Sequence, residues 1–249
     1  MTTTALITGA NKGIGYETAR QLAARGTTVL VGARNPELGQ AAADKLIVGG
    51  AAARFVQLDV TDEVSITRAA ARIREEFGKL DILINNAAIT GGLEGDGKAS
   101  STTLATLRNV YETNVFGVVA VTNAMLPLLR EAEAARIVNV SSEVGSISLA
   151  LDPDGPFWGM GAISYPSSKT ALNMITAQYA KEFWDTPIKV NAANPGYTAT
   201  DLNGHTGFRT PEQGAEPIVH LATLPTDGPT GRLWGYVWGA GNSEYGALA

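Results

Sequence analysis

The stretch "SYPSSK" at 164–169 sets Tyr165 and Lys169 four positions apart. On a helix that spacing stacks the two side chains on one face. Pro166 suits a first helical turn, where its missing N–H leaves nothing unpaired. A free phenol has a pKa near 10, too high to exchange protons readily at neutral pH. A neighbouring ammonium favours phenolate, so Lys169 is expected to lower that value. By itself the pair fits acid–base chemistry at a helix start and equally a solvated Lys beside a half-buried Tyr.

A second constellation lies near the N-terminus. "ALITGANKGIG" carries Gly9, Gly13 and Gly15 as G-x3-G-x-G between an apolar run and a helical one. Bare glycines in such a turn let the backbone approach a pyrophosphate at a helix N-terminus. The next apolar run ends in "VLVGARN", which puts Arg34 nineteen residues after Gly15 with no carboxylate nearby. A carboxylate there would hold a ribose 2′-hydroxyl, whereas Arg grips a 2′-phosphate. Lys12 adds a second positive charge in the turn. The reading is NADP(H), not NAD(H).

The elements that must position these groups alternate short apolar runs with longer amphipathic ones. Strands are predicted at "TALITG", "TTVLVGA", "ARFVQLDV", "LDILINNA", "RIVNVSS", "IKVNAANP" and "GRLWGYVW". Most are continuously apolar, as parallel strands covered on both faces must be. Between them, Ile66, Ala70, Ile73 and Phe77 make one helical stripe that Gly78 ends. Asn35 before Pro36 reads as an N-cap, and Thr210 to Gln213 has capping-box spacing. This rhythm predicts an α/β fold: a single-domain Rossmann-type doubly wound, mostly parallel seven-stranded sheet with helices on both faces, spanning 1–249. Two Gly-rich loops interrupt it, at 90–98 and at 149–163.

Composition excludes other chemistries. The chain has 249 residues, 45% hydrophobic, enough for one large core. Its charge of −5 without a basic run argues against nucleic acid and anionic membranes. There is no Cys, and His205 and His220 belong to no metal-spacing motif, so no metal is expected. No secretory signal is evident and no apolar stretch reads as long enough to span a bilayer, so a soluble cytoplasmic protein is expected.

Several separated motifs appear in one order: "TGANKGIG" at 8–15, "LDV" at 58–60, "NNAA" at 85–88, Asn114 in "ETNVFG", "VNVSSEVG" at 138–145, "YPSSK" at 165–169 and "NPGYTAT" at 194–200. With them the chain closely resembles the short-chain dehydrogenase/reductase family over nearly its whole length. The glycine turn, Arg34, the widened interval from Ser142 to Tyr165 and the "PTGRLW" tail look most like its carbonyl-reductase branch. The resemblance implies that Gly9, Asn11, Lys12, Gly13, Ile14, Gly15 and Arg34 bind the cofactor. It places Asp59 and Val60 at the adenine, and Asn86 and Ala87 along the ribose. Pro195, Gly196, Tyr197, Thr198 and Thr200 would hold the nicotinamide end, and Lys169 the nicotinamide ribose. Ser142 would polarise the substrate oxygen beside its structural neighbour Ser141, Tyr165 would be general acid in reduction and base in oxidation, and Asn114 would support a water-linked proton path to Lys169. Two departures stand out: Ala88 where the family usually has Gly, and 23 residues from Ser142 to Tyr165, nearly twice the interval in many members.

The resulting expectation is reversible NADPH-dependent reduction of a small hydrophobic ketone or aldehyde. Alternatives are reduction of an activated C=C bond and a non-catalytic dinucleotide sensor. Phe157, Trp158 and Met160, among glycines in 149–163, are expected to wall the substrate pocket. The long segment leaves monomer and homodimer both open.

Overall fold

The computed structural model describes residues 3–92, 97–238 and, as backbone, 245–248. Residues 93–96 of the first Gly-rich loop lie outside the described residues. The strands are β1 Thr4–Thr8, β2 Thr28–Ala33, β3 Ala53–Gln57, β4 Ile82–Asn85, β5 Arg136–Val140, β6 Lys189–Asn194, β7 Leu233–Tyr236 and β8 Tyr245–Leu248. The helices are α1 Gly13–Ala23, α2 Pro36–Val48, α3 Glu63–Phe77, α4 Leu104–Tyr111, α5 Gly117–Leu129, α6 Ile147–Ala150, α7 Ser164–Glu182 and α8 Pro211–Ala222. One sheet runs β3-β2-β1-β4-β5-β6-β7-β8, parallel from β3 to β7.

All seven strands read from the sequence are present. An eighth, β8, pairs antiparallel to β7. Its four residues are too short to register as a periodic run. The parallel strands are buried on both faces because successive residues point to opposite sides. Leu6, Leu30, Leu83 and Ile137 meet Ile66 and Ile73 of α3 and Met125 of α5 on one face. Ala5, Ile7, Val29, Val31 and Ile84 meet Leu22 of α1, Ala43 of α2 and Ile218 of α8 on the other.

The end signals hold. The Asn35 side chain accepts from Leu38 N–H at 2.9 Å. Gly78 closes α3 in the left-handed region at φ 72°. Thr210 and Gln213 form a reciprocal capping box.

One sequence expectation needs correction. Residues 104–129 form a continuous helical run that by length and composition alone is apolar enough to cross a membrane. Arg108 and Glu112 and the scattered Asn residues obscure this in the sequence. The run is instead largely a core helix: Val118, Val121, Met125 and Leu129 are buried.

The order of strands reverses about β1, whose neighbours are β2 and β4. Chain connections leave in opposite directions there, opening a crevice at the carboxyl ends of the strands. The glycine turn, Arg34, Asn86, Ser142 and Pro195 all follow the ends of β1, β2, β4, β5 and β6 respectively, so they collect on that one edge.

Candidate active site

The glycine turn is braced from β4. Thr8 Oγ1 accepts from the N–H groups of Asn86 and Ala87, both at 3.0 Å. Asn86 Nδ2 donates to the carbonyls of Thr8 and Gly9 at 2.9 and 3.2 Å. Its carboxamide thus holds the turn. Gly9 has φ 64°, and a Cβ on Gly15 would lie 2.5 Å from Asn86 Nδ2 and 2.6 Å from the Gly9 carbonyl oxygen. No side chain fits there, which gives the bare backbone cradle a pyrophosphate needs at the start of α1. Asn11 and Ile14 are half-buried in the same turn.

Ala10 N–H donates to the Gly32 carbonyl at 3.0 Å, stitching the turn to β2 just before Arg34. Arg34 is exposed and has no side-chain partner among the described residues. Lys12 differs: it pairs with Asp201 at 2.5 Å, and His205 Nε2 approaches the other Asp201 oxygen at 2.8 Å. The Lys12 hydrogen bond and charge, with His205, hold the Asp201 carboxyl below its ordinary value. Sequence reading gave Lys12 a free charge because Asp201 is 189 positions away.

Asp59 and Val60 follow β3. Asp59 Oδ1 accepts from the Thr61 N–H and hydroxyl at 3.0 and 2.8 Å. Across the crevice, Thr200 Cγ2 stands 3.5 Å from where a Gly13 Cβ would be, so the loop after β6 closes on the glycine turn. The buried Thr198 hydroxyl reaches the carbonyls of Pro195 and Gly196 at 3.3 and 3.2 Å.

Tyr165 lies in the first turn of α7, with Lys169 one turn on. Lys169 Nζ is 5.4 Å from the Tyr165 ring centroid and donates to the Val140 carbonyl at 2.7 Å. Ser142, just past β5, hydrogen-bonds the Tyr165 phenol. Ser141 instead turns away to Asn173 Oδ1 at 2.5 Å. The three side chains read from distant motifs therefore meet.

Their protonation runs against the sequence expectation. The Tyr165 side chain as a whole is half-buried, yet its hydroxyl end lies deep, and burial pushes the phenol up to about 12 although the Ser142 hydrogen bond pulls it back. Burial also brings Lys169 down to about 7, so at neutral pH it carries only part of a charge and does not offset the Tyr165 shift. In the protein alone, the phenol keeps its proton.

Asn114 is held in a π-helical turn, Glu112–Phe116, between α4 and α5. Its Oδ1 accepts from Ile89 N–H at 2.9 Å, and its Nδ2 donates to the Ile89 carbonyl and to Ser168 Oγ at 2.9 and 3.1 Å. It braces the exit of β4 against the helix that carries Tyr165. Gly145 locks the other side: a Cβ there would sit 2.7 Å from the Lys169 carbonyl carbon. Gly145→Ala is expected to cost about 1–3 kcal/mol by overpacking. That should appear as a melting temperature several degrees lower, with turnover reduced as α7 is displaced from Ser142.

Of the segment 149–163, Phe157 turns inward, its ring 6.1 Å from Trp238. Trp158 and Met160 remain 57% and 49% exposed, at the rim. Sequence reading missed Phe157's partners: Trp238 packs on Phe208 at 5.8 Å, and Phe208 on Tyr236 and Tyr197 at 5.7 and 6.3 Å. It also missed Glu143, a buried carboxylate next to Ser142. A charged residue directly after the Ser–Ser pair, in a run that enters the core, was the available signal.

The family model of short chain dehydrogenases matches residues 3–207. Short-chain dehydrogenase anuI of Penicillium roqueforti is 41% identical over 226 residues, covering 88% of this chain and 87% of that protein. A (+)-neomenthol dehydrogenase of Capsicum annuum is 32% identical, covering 91% of this chain and 93% of its own length. Among solved structures, NADPH-bound carbonyl reductase from chicken fatty liver superposes with a TM-score of 0.81 at 29% identity, over 94% of this chain and 96% of that one.

Proposed function

This chain belongs to the short-chain dehydrogenase family, and on that premise we propose that it uses NADPH to reduce a ketone or aldehyde to an alcohol. The observation that carries this reading is the meeting of Ser142, Tyr165 and Lys169 beside the glycine turn. The cradle at Gly9 and Gly15 fits a dinucleotide pyrophosphate, and the exposed Arg34 fits a 2′-phosphate. A relative whose structure is NADPH-bound supports the same choice.

When bound, NADPH supplies the hydride for the carbonyl carbon. Ser142 and Tyr165 donate hydrogen bonds to the carbonyl oxygen, and negative charge develops there. The Tyr165 phenol, protonated at neutral pH, gives up its proton to that oxygen. Lys169 then faces a phenolate, and the nearby negative charge favours its own protonation. Asn114 supports a proton path to Lys169 by holding Ser168 and the start of α7. Asp59 and Val60 take the adenine edge, and Pro195 to Thr200 the nicotinamide end.

Phe157, with Tyr197, Phe208 and Trp238, walls the substrate side, which suits a hydrophobic carbonyl compound. Phe157→Ala should raise KM for bulky ketones roughly 10-fold, the scale of losing a large apolar contact. NADPH affinity should be unchanged, and the exposed Trp158→Ala should do less. An unaltered ranking of ketones in Phe157→Ala would remove it from the wall. The whole reading is tested by following NADPH oxidation over a panel of aliphatic, cyclic and aromatic ketones and enones. Consumption coupled to alcohol formation supports it; saturation of enones alone would assign C=C reduction, and binding without turnover a sensor.

A further inference from the structure

Directly after Ser142 the chain buries a carboxylate. Glu143 is 3% exposed, and its Oε2 has no hydrogen-bond partner among the described residues. Its backbone N–H donates to Asn194 Oδ1 at 3.2 Å, and the Asn194 side chain also bonds its carboxylate. The same Asn194 oxygen accepts from Gly196 N–H at 3.2 Å, and its Nδ2 donates to the Tyr236 carbonyl at 2.7 Å. One carboxamide therefore connects the Ser142 turn, the start of the 195–200 loop and β7.

Arg209, itself 1% exposed, attracts the Glu143 carboxylate electrostatically without a direct ion pair between the two, while its Nη2 donates to the Gln213 carbonyl at 2.8 Å. Arg209 lies over the Tyr236 ring, its guanidinium carbon 4.7 Å from the centroid. Its backbone brackets the loop: its N–H donates to the Tyr197 carbonyl at 3.2 Å, and its carbonyl accepts from Ala199 N–H at 2.9 Å. Its Cδ would touch a Gly196 Cβ at 2.7 Å, so the loop rests directly on this side chain.

We infer that Glu143 is a positioning residue for the proposed reduction: its ionised carboxylate, drawn toward Arg209, fixes the Tyr197–Ala199 loop against the Ser142 turn. The inference rests on the reductase reading and adds a residue to it. A neutral carboxyl lacks this attraction, and the loop is then joined to the Ser142 turn by the Asn194 bridge alone. Burial raises the Glu143 carboxyl to about 7, against the pull of Asn194 and Arg209, so the anchor changes state in the working range. The titratable or charged groups around its turn are Arg209, Tyr236 of β7, and Tyr165 and Lys169 of α7. Lys169, brought down to about 7, shares the window.

The sign for stability is opposite to that for catalysis. A carboxyl with a raised pKa leaves the fold most stable below its ordinary value; stability falls as pH rises toward 7 and is level above. Glu143→Gln removes that loss. It is expected to melt higher than wild type at pH 8 and closer to it at pH 5. Turnover at pH 8 is expected to drop roughly 10-fold, because small misplacements of reacting groups are costly. The fluorescence yield of bound NADPH, which reports how the nicotinamide is held, should fall with it. In a kcat/KM profile from pH 5.5 to 9, the wild-type acid limb should flatten to a low plateau in Glu143→Gln and return in part in Glu143→Asp. A limb that survives unchanged belongs to Lys169. The inference is overturned if Glu143→Gln turns over within twofold of wild type with the same profile, or if it melts lower at pH 8, which would mark a structural role only. Absence of wild-type turnover would instead sink the reductase reading; the inference would fall with it, and the melting comparison would still report whether Glu143 is ionised.

Discussion

Replacing Tyr165 by Phe is expected to lower turnover about 10²–10⁴-fold, the usual worth of a positioned acid. The substitution removes one oxygen and leaves the ring, its packing and the helix start intact. Folding and NADPH affinity should therefore be close to wild type. Lys169 still has its bond to the Val140 carbonyl, so the floor of the site does not collapse. What disappears is the proton that burial keeps on the phenol, and the Ser142 hydroxyl loses its partner. Single-turnover NADPH oxidation with a reactive ketone measures this directly. Turnover within threefold of wild type would exclude Tyr165 as the acid.

Arg34→Asp is expected to weaken NADPH binding by about 2–3 kcal/mol, roughly 30- to 150-fold, through loss of a charge-assisted phosphate contact and gain of repulsion. NADH binding should change far less, since it lacks the 2′-phosphate. Lys12→Ala should act in the same direction more weakly, because Asp201 already engages that ammonium. Fluorescence titration of both cofactors against wild type and variants settles the matter. Tighter binding of NADH than NADPH by the wild-type protein would contradict the assignment of Arg34.

The particular residues explain how far the sequence could be read. Caps such as Asn35, Thr210 and Gly78 act on neighbours within a few positions, so residue type and spacing revealed them. The strands announced themselves because burial on both faces demands unbroken apolar runs. Tyr165 and Lys169 share one helix turn, and their union with Ser142 followed from a family resemblance carried by ordered motifs. What stayed hidden depends on chain segments that meet only in the fold. Asp201 reaches Lys12 across 189 positions. Trp238 reaches Phe157 from another loop, and Phe208 reaches Trp238 from a third. The direction of the Tyr165 and Lys169 shifts turns on depth: spacing shows that an ammonium is near a phenol, but not that both have lost their water. Glu143 read as one more polar residue in a motif until its surroundings were known.

The π-helical turn at Glu112–Phe116 makes this part of the chain intolerant of a change in length. A π turn carries one residue more than the α-helix around it, and one α-helical residue corresponds to about 100° of rotation. Deleting any single residue from 112–116 would let the run from α4 to α5 wind regularly, and everything on one side of it would rotate by that amount relative to the other. Either Val110 would leave the core, or Asn114 would release Ile89 and Ser168 while Met125 swung off the sheet. A loop absorbs an insertion or deletion by moving into solvent; here both flanks are anchored. Substitutions along the run can be accommodated one at a time, whereas its length acts as a reading frame between the cofactor edge and the helix that holds the acid.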